Sequence, residues 1–561
     1  MTIREQLNSI AKKRVLILDG AMGSLIQGLN LDEKDYRGSL FAEHPAPLKG
    51  CNDLLCLTKP EAIGAIHDAY LEAGADIIET CSFNSNSITL SDYGLGHLSY
   101  EISAAAAGLA RSSAENFSKN GKPRFVAGSI GSTAKGASLY PDVSNPEKRS
   151  VYWDELEAAY YDNARGLLDG GADILLIETI YDTLNAKAAL FAVSCLLEER
   201  QIDVPIIISA AVCGETLPGR LLSGQTLEAF CISVMHADPW AIGLNCSFGA
   251  EKLLPHIRML SKTVPCLVSA YPNAGLPDQS GRYEETPEVM SAGIETYLKE
   301  GIVNIVGGCC GSAPAHIAAI AEKAARYIPR TAADIDRSEA SSPCSVASSS
   351  FFSGLEPFYA EGNTINIRNM ALAAKLPALA VQKEEFQKSL SEGEYEDAAD
   401  TARDLVEYGV PILDIKTDDE NTIGKFLDYA LMNPYIAKVP FMINSSRFKV
   451  LETGLKRLQG RSLSGPVNLE EGEAEFLRKV QLVHRYGAAA VISLADEQGL
   501  AVTNERKIEI TQRVCNLLRK NNYPFKNIVI DSGTNWMPGT AGLDIFSSWI
   551  QDNCPGFLIA I

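Results

Sequence analysis

One pattern recurs through the first 330 residues and limits the fold more than any other. A short β-branched or aliphatic run ends in a polar residue, and a longer helix-like segment follows. The runs are Val15–Asp19, Asp76–Thr80, Phe125–Ser129, Ile174–Glu178, Pro205–Ser209, Ile242–Cys246, Cys266–Ser269 and Asn304–Cys309. Short continuous apolar runs of this kind read as parallel strands buried on both faces. Eight strand–helix units fit a (β/α)8 barrel better than an open doubly wound sheet. Such barrels carry their active sites at the carboxyl ends of the strands. The pattern therefore gathers Asp19, Glu178, Asn245, Cys246, Cys309 and Cys310 around one mouth.

A second series follows a change in composition. Residues 331–352 are small and polar, rich in Ser and Ala, as expected of a linker. Residues 353–561 then offer seven candidate strands: Thr364–Ile367, Ile412–Ile415, Phe441–Asn444, Ser462–Ser464, Ala489–Ser493, Asn527–Asp531 and Phe557–Ile561. The expected fold is α/β, two (β/α)8 TIM-type barrels in tandem, the first over 1–330 and the second over 353–561. The second is incomplete at its C-terminus, because the chain stops inside the seventh run. An open barrel exposes two sheet edges, so either another segment closes it or the chain is cut from something longer.

Length and charge narrow the partners. At 561 residues the chain has room for two large domains. A net charge of -20 without a basic patch argues against nucleic acid and against anionic membrane surfaces. The amino-terminal residues do not resemble a signal peptide, and no apolar run approaches the ~20 residues that span a bilayer. The 13 cysteines are irregularly spaced and form no Cys-x-x-Cys pair. That is unlike a secreted disulfide framework, and the expected compartment is a reducing cytoplasm.

Three of those cysteines carry the chemistry. Gly307-Gly308-Cys309-Cys310-Gly311 and Asn245-Cys246 each end an apolar run. Three thiolates at strand ends, with glycines that permit close backbone approach, form a candidate metal site, with zinc as the expected metal. Three protein ligands leave the fourth tetrahedral position open, as in catalytic sites. Vicinal cysteines also form strained disulfides or serve as small buried side chains. An open zinc position accepts a substrate thiol and lowers its pKa from ~8.5, leaving a nucleophile that needs no histidine base. Asp19 and Glu178 suit the ammonium group of an amino acid. The Gly20-Ala21-Met22-Gly23 turn offers backbone N–H groups to its carboxylate. The bland alternatives are a helix N-cap for Asp19 and a buried ion pair for Glu178.

These residues belong to longer segments that resemble a known family. Leu18–Gly23, Gly74–Thr80, Ile177–Thr179, Leu222–Thr226, Gly243–Cys246, Tyr271–Gly275 and Gly307–Gly311 look like the homocysteine-binding module of cobalamin-dependent methionine synthases. The resemblance implies zinc on Cys246, Cys309 and Cys310, homocysteine sulfur as fourth ligand, and Asp19 and Glu178 on the amino-acid part. It implies methyl transfer to homocysteine, giving methionine. Two segments depart: the family's Thr-Asn-Thr-Phe is Thr80-Cys81-Ser82-Phe83, and its Gly-Pro-Thr is Gly131-Ser132-Thr133.

Residues 353–561 are similar to the methyltetrahydrofolate-binding barrel of the same family, on Ser353–Phe358 and Ala495–Gly499. There Asp414, Asp496 and Asp531 stand where family aspartates face a pterin. Other positions depart, among them Arg368-Asn369-Met370, Asp414-Ile415-Lys416, Asn444-Ser445-Ser446 and Gly465-Pro466. The implied cofactors are zinc, methylcobalamin on a corrinoid-carrying domain not present here, and 5-methyltetrahydrofolate as co-substrate. A homocysteine methyltransferase taking its methyl from S-methylmethionine or a betaine is the alternative, with the second barrel as scaffold. A metal-stabilised, non-catalytic scaffold is the third reading.

Overall fold

The computed structural model describes residues 1–119, 121–279, 281–331, 351–360, 364–365, 377–531, 546, 549–550, 553 and 557–560. Residues 332–350, most of the expected linker, lie outside the described residues, as do Ile367 and the Arg368-Asn369-Met370 motif. The chain forms two compact units. One comprises Met1–Gly136, Val151–Ser223 and Asp238–Ala347; the other comprises Ala137–Ser150, Gly224–Ala237 and Ser348–Ile561. Two short segments from within residues 1–330 thus group with the second unit.

The first unit is built on strands β1 (Leu16–Ile17), β2 (Ile77–Glu79), β3 (Phe125–Gly131), β4 (Ile174–Ile180), β5 (Ile206–Ala210), β6 (Ala241–Cys246), β7 (Leu267–Pro272) and β8 (Ile305–Val306). All pair in parallel, in the order β1-β8-β7-β6-β5-β4-β3-β2. The bridge between Leu18 and Ile77 joins the two ends of that order and closes the barrel. Every strand expected from the sequence is present. The interior is filled by alternate side chains, including Leu16, Leu18, Ile77, Phe125, Ala127, Leu176, Ile207, Ala241, Tyr271 and Ile305. Helix Ile3–Ala11 adds Leu7 and Ala11 to that core, and Trp240 Nε1 donates to Asn8 Oδ1 at 2.7 Å. The strand-to-helix turns carry their own signals: Asp182 caps helix Thr183–Arg200, and Thr286 with Pro287 starts helix Pro287–Lys299.

The second unit begins with an antiparallel hairpin, β9 (Phe351–Ser353) and β10 (Pro357–Tyr359). Phe351 and Phe352, read as the end of the linker, form part of β9 and are fully buried. Gln225, from a motif quoted for the homocysteine module, donates from Nε2 to Gly354 O at 2.7 Å, and Thr226 N donates to Leu355 O at 2.9 Å. The remaining strands are β11 (Thr364–Ile365), β12 (Leu413–Lys416), β13 (Phe441–Asn444), β14 (Leu463–Leu469), β15 (Ala489–Asp496), β16 (Gly499–Leu500), β17 (Ile528–Asp531) and β18 (Leu558–Ala560). Their order is β11-β18-β17-β15-β14-β13-β12, parallel throughout, with β16 turning back on β15. Among the described residues β11 and β12 do not pair, so this sheet is a partial barrel. Its core joins Phe352 to Ile412, Met442, Leu463, Val491, Val529 and Leu558.

Candidate metal centre and substrate cavity

The parallel ladder of the first unit brings the three cysteines together. Cys246 ends β6 opposite Pro272 of β7, and Pro272 O accepts from Cys309 N at 2.8 Å. Gly307 N donates to Ala270 O and Gly308 N to Asp19 O, so the segment after β8 stays pinned between β7 and β1. A Cβ on Gly307 would lie 2.8 Å from Leu18 Cβ, and one on Gly311, at φ 82°, 2.2 Å from Tyr283 Cβ. Only glycine fits that close approach and that left-handed backbone. Cys246 and Ser247, at φ 57° and 63°, are left-handed without being glycine. Such backbones cost on the order of 1–3 kcal/mol each and collect at functional sites.

The result is a compact sulfur cluster. The three Sγ atoms lie within 4.8 Å of one another, and Cys246 Sγ stands 3.9 Å from Cys310 Sγ. Tetrahedral zinc with Zn–S near 2.3 Å separates its sulfurs by about 3.8 Å, so the donor set fits that metal. The Cys309 and Cys310 thiols hydrogen-bond to the Cys246 sulfur and hold the Cys246 thiol far below the ordinary range. Asn245 fixes the neighbourhood. It is fully buried, accepts from Thr179 N (3.1 Å) and Ser209 Oγ (2.8 Å), and donates to Thr179 Oγ1 (2.7 Å) and toward Cys309 Sγ (3.8 Å). Tyr283 hydrogen-bonds to Cys310 from the loop after β7.

The cluster opens into a cavity of about 380 Å³. Its wall includes Gly20, Ala21, Met22, Gly23, Glu79, Cys81, Ser129, Glu178 and the three cysteines. Glu178 Oε1 accepts from Ser129 Oγ at 2.5 Å, and Tyr271 Oη donates to Oε2 at 3.4 Å. Burial lifts the Glu178 carboxyl to about 7. Its partners are neutral hydroxyls. Asp19 is 2% exposed, and its Oδ2 accepts from Glu79 N at 3.0 Å. Burial first, and the Glu178 charge next among the factors that raise it, push Asp19 well above the usual carboxylate range. Asp19 does not cap the following helix, Met22–Gly28, whose N-cap is Ala21 without a side-chain bond.

Sequence reasoning missed two acids on this cavity. Glu79 ends β2 as Glu178 stands near the end of β4, and that shared position was the available signal. Asp53 accepts from Asn84 N (2.6 Å) and Ser85 Oγ (3.2 Å), with burial lifting it to about 7. It sits in a segment between strands, Asn52–Leu54, where no strand-end pattern points to it. The departure at Cys81 lines the same cavity, its sulfur 3.9 Å from Asp53 Oδ1.

In the second unit, Asp414 and Asp531 fall two residues after the core members Ile412 and Val529, so alternation places them on the inward face. Lys383 lies near Asp414 and Lys507 near Asp531. Asp496 is instead held in an ion pair with Arg506 and accepts from Gln498 N at 3.0 Å. Gly465-Pro466, read as following a strand, lies inside β14. No helix among the described residues is long and apolar enough to cross a membrane.

Residues 16–324 match the homocysteine S-methyltransferase family, and residues 379–536 match the pterin-binding enzymes. Among solved structures, the chain is similar to the metallated form of the homocysteine methyltransferase MmuM from Escherichia coli, with 21% identity over 56% of this chain and 98% of that one and a TM-score of 0.43. It is also similar to the carboxyl transferase domain of Rhizobium etli pyruvate carboxylase, with 13% identity over 72% of this chain and 60% of that one and a TM-score of 0.30. The two family matches, in this order, are those of a methionine synthase-like architecture. The chain is a methyltransferase that belongs to the homocysteine S-methyltransferase family.

Proposed function

We propose that this protein is a zinc enzyme that transfers a methyl group to the thiol of L-homocysteine, giving L-methionine, with 5-methyltetrahydrofolate as ultimate donor and methylcobalamin as carrier. The observation that carries the zinc reading is the cluster of three sulfurs within 4.8 Å at the wall of a cavity. Cys246, Cys309 and Cys310 hold the metal. Zinc bound there supplies Lewis acidity at an open position, keeping a coordinating thiol deprotonated at neutral pH.

The chain's own residues bind and orient. The buried carboxylates at the Asp19–Glu178 end face the α-ammonium of homocysteine. The backbone N–H groups of Gly20, Ala21, Met22 and Gly23 face its carboxylate. Asn245 holds Cys309 in place. The second unit takes the folate, with Asp414, Asp496 and Asp531 as pterin contacts; its match to pterin-binding enzymes supports a folate donor over S-methylmethionine or a betaine. The corrinoid travels on a separate domain or protein, and the reaction runs in the cytoplasm.

Calorimetric titration of the zinc-loaded protein tests the reading. Homocysteine and methyltetrahydrofolate each bind if both sites work, and free methylcobalamin then yields methionine. Loss of homocysteine binding overturns the function; loss of folate binding alone overturns only the donor.

A further inference from the structure

Glu79 is the carboxylate that the reading above leaves without a task. It ends β2, beside β1, and its backbone N–H donates to Asp19 Oδ2 at 3.0 Å. Its Oε1 is buried and has no hydrogen-bond partner among the described residues. Asp19 Oδ1 is in the same condition. Glu79 and Glu178 both line the 380 Å³ cavity, and Asp19, 2% exposed, bonds to the Glu79 backbone beside them. Among the described residues no lysine, arginine or histidine lines this cavity.

That arrangement asks for a cation from outside. A buried carboxylate without a partner is costly, and the cost is removed by protonation or by a positive partner. Burial, and then the Glu178 and Asp19 charges, raise the Glu79 carboxyl well above its ordinary value, and a bound ammonium would oppose that rise. Glu178 already has Ser129 and Tyr271 to orient it; Glu79 has only the ligand to meet.

We infer that Glu79 joins Glu178 and Asp19 around the α-ammonium of the amino-acid substrate, with its backbone N–H held by Asp19 Oδ2. The inference rests on the homocysteine reading above and deepens it. It makes Glu79 a specificity residue for a free amino group: a thiol acid without that group gains nothing from it.

The test is titration of the zinc-loaded full chain, wild type and Glu79→Gln, with L-homocysteine and with 4-mercaptobutyrate, the same thiol acid lacking the amine. Loss of a charge-assisted hydrogen bond weakens homocysteine about 10- to 100-fold. The affinity for 4-mercaptobutyrate and the zinc content stay at wild-type values. Equal weakening of both ligands, or of neither, overturns the inference. If the Gln variant does not fold, Glu79→Asp replaces it, with a smaller loss confined to homocysteine as the supporting result and an equal loss of both ligands as the refuting one. A wild-type protein that binds neither ligand removes the homocysteine reading itself, a result distinct from a failure of Glu79 alone.

Discussion

Replacing Asn245 with alanine tests how the metal centre is held. The side chain is fully buried and serves Thr179 N–H, Thr179 Oγ1, Ser209 Oγ and Cys309 Sγ. Alanine leaves the Thr179 N–H without an acceptor, at about 1–3 kcal/mol. The two hydroxyls can rotate, so each loses nearer 1 kcal/mol. The sum is about 3–5 kcal/mol, a large share of the stability of an ordinary domain. Thr179 sits at φ 52°, a backbone that its neighbours must enforce. The loss therefore falls on the strand ends that carry Glu178 and Cys309. The assay is urea denaturation of the metal-free protein, read on the transition of the first unit because two units need not unfold together. A parallel zinc titration reports the metal site. Asn245→Ala is expected to lower stability by the amount above and to weaken zinc binding. A change below about 1 kcal/mol with unchanged zinc affinity refutes the claim that Asn245 organises the cluster.

Three further outcomes follow from the same geometry. Cys246→Ser and Cys309→Ala each abolish stoichiometric zinc and methyl transfer to homocysteine, measured by metal analysis and methionine formation; full activity in Cys309→Ala rejects the metal assignment. Glu178, lifted from 4.5 to about 7 by burial, binds its proton more tightly in the folded state than in the unfolded one. Its stabilising contribution is whole below pH 4.5 and lost as pH rises to about 7, by as much as about 3 kcal/mol. The metal-free, ligand-free protein is thus expected to weaken over that window, and Glu178→Gln to flatten the slope; an unchanged slope assigns the effect to another group. Gly243→Ala places a Cβ 1.9 Å from Ser269 Oγ and 2.5 Å from Ser269 O. The hydroxyl can turn but the carbonyl cannot, so thermal unfolding should show about 1–3 kcal/mol of destabilisation.

The strands were legible because each is a short apolar run with a polar residue at its end. That pattern is local, and it located all eight strands of the first barrel and the positions of the seven main strands of the second. The three cysteines were legible for the same reason: chain order at strand ends maps directly onto the barrel mouth. The grouping of Gly224–Ala237 with the second unit was not legible. Gln225 and Thr226 meet Gly354 and Leu355 across more than a hundred residues, and a local pattern carries no information about such a pairing.

Sequence alone therefore determined the barrel class, the three thiols and two of the acids around them, because spacing and residue chemistry suffice for those. Tertiary structure alone decided the rest. It put Glu79 on the cavity wall beside Glu178, since which face of a closing strand a carboxylate presents depends on the twist and register of its neighbours. It set the Cys246–Cys310 separation, which rests on left-handed backbone at Cys246 and on the β7 carbonyls that pin the segment after β8. It also paired Asp496 with Arg506, ten residues along the chain and in the following helix. Ion-pair partners are chosen by proximity in space, and proximity exists only once the chain has folded.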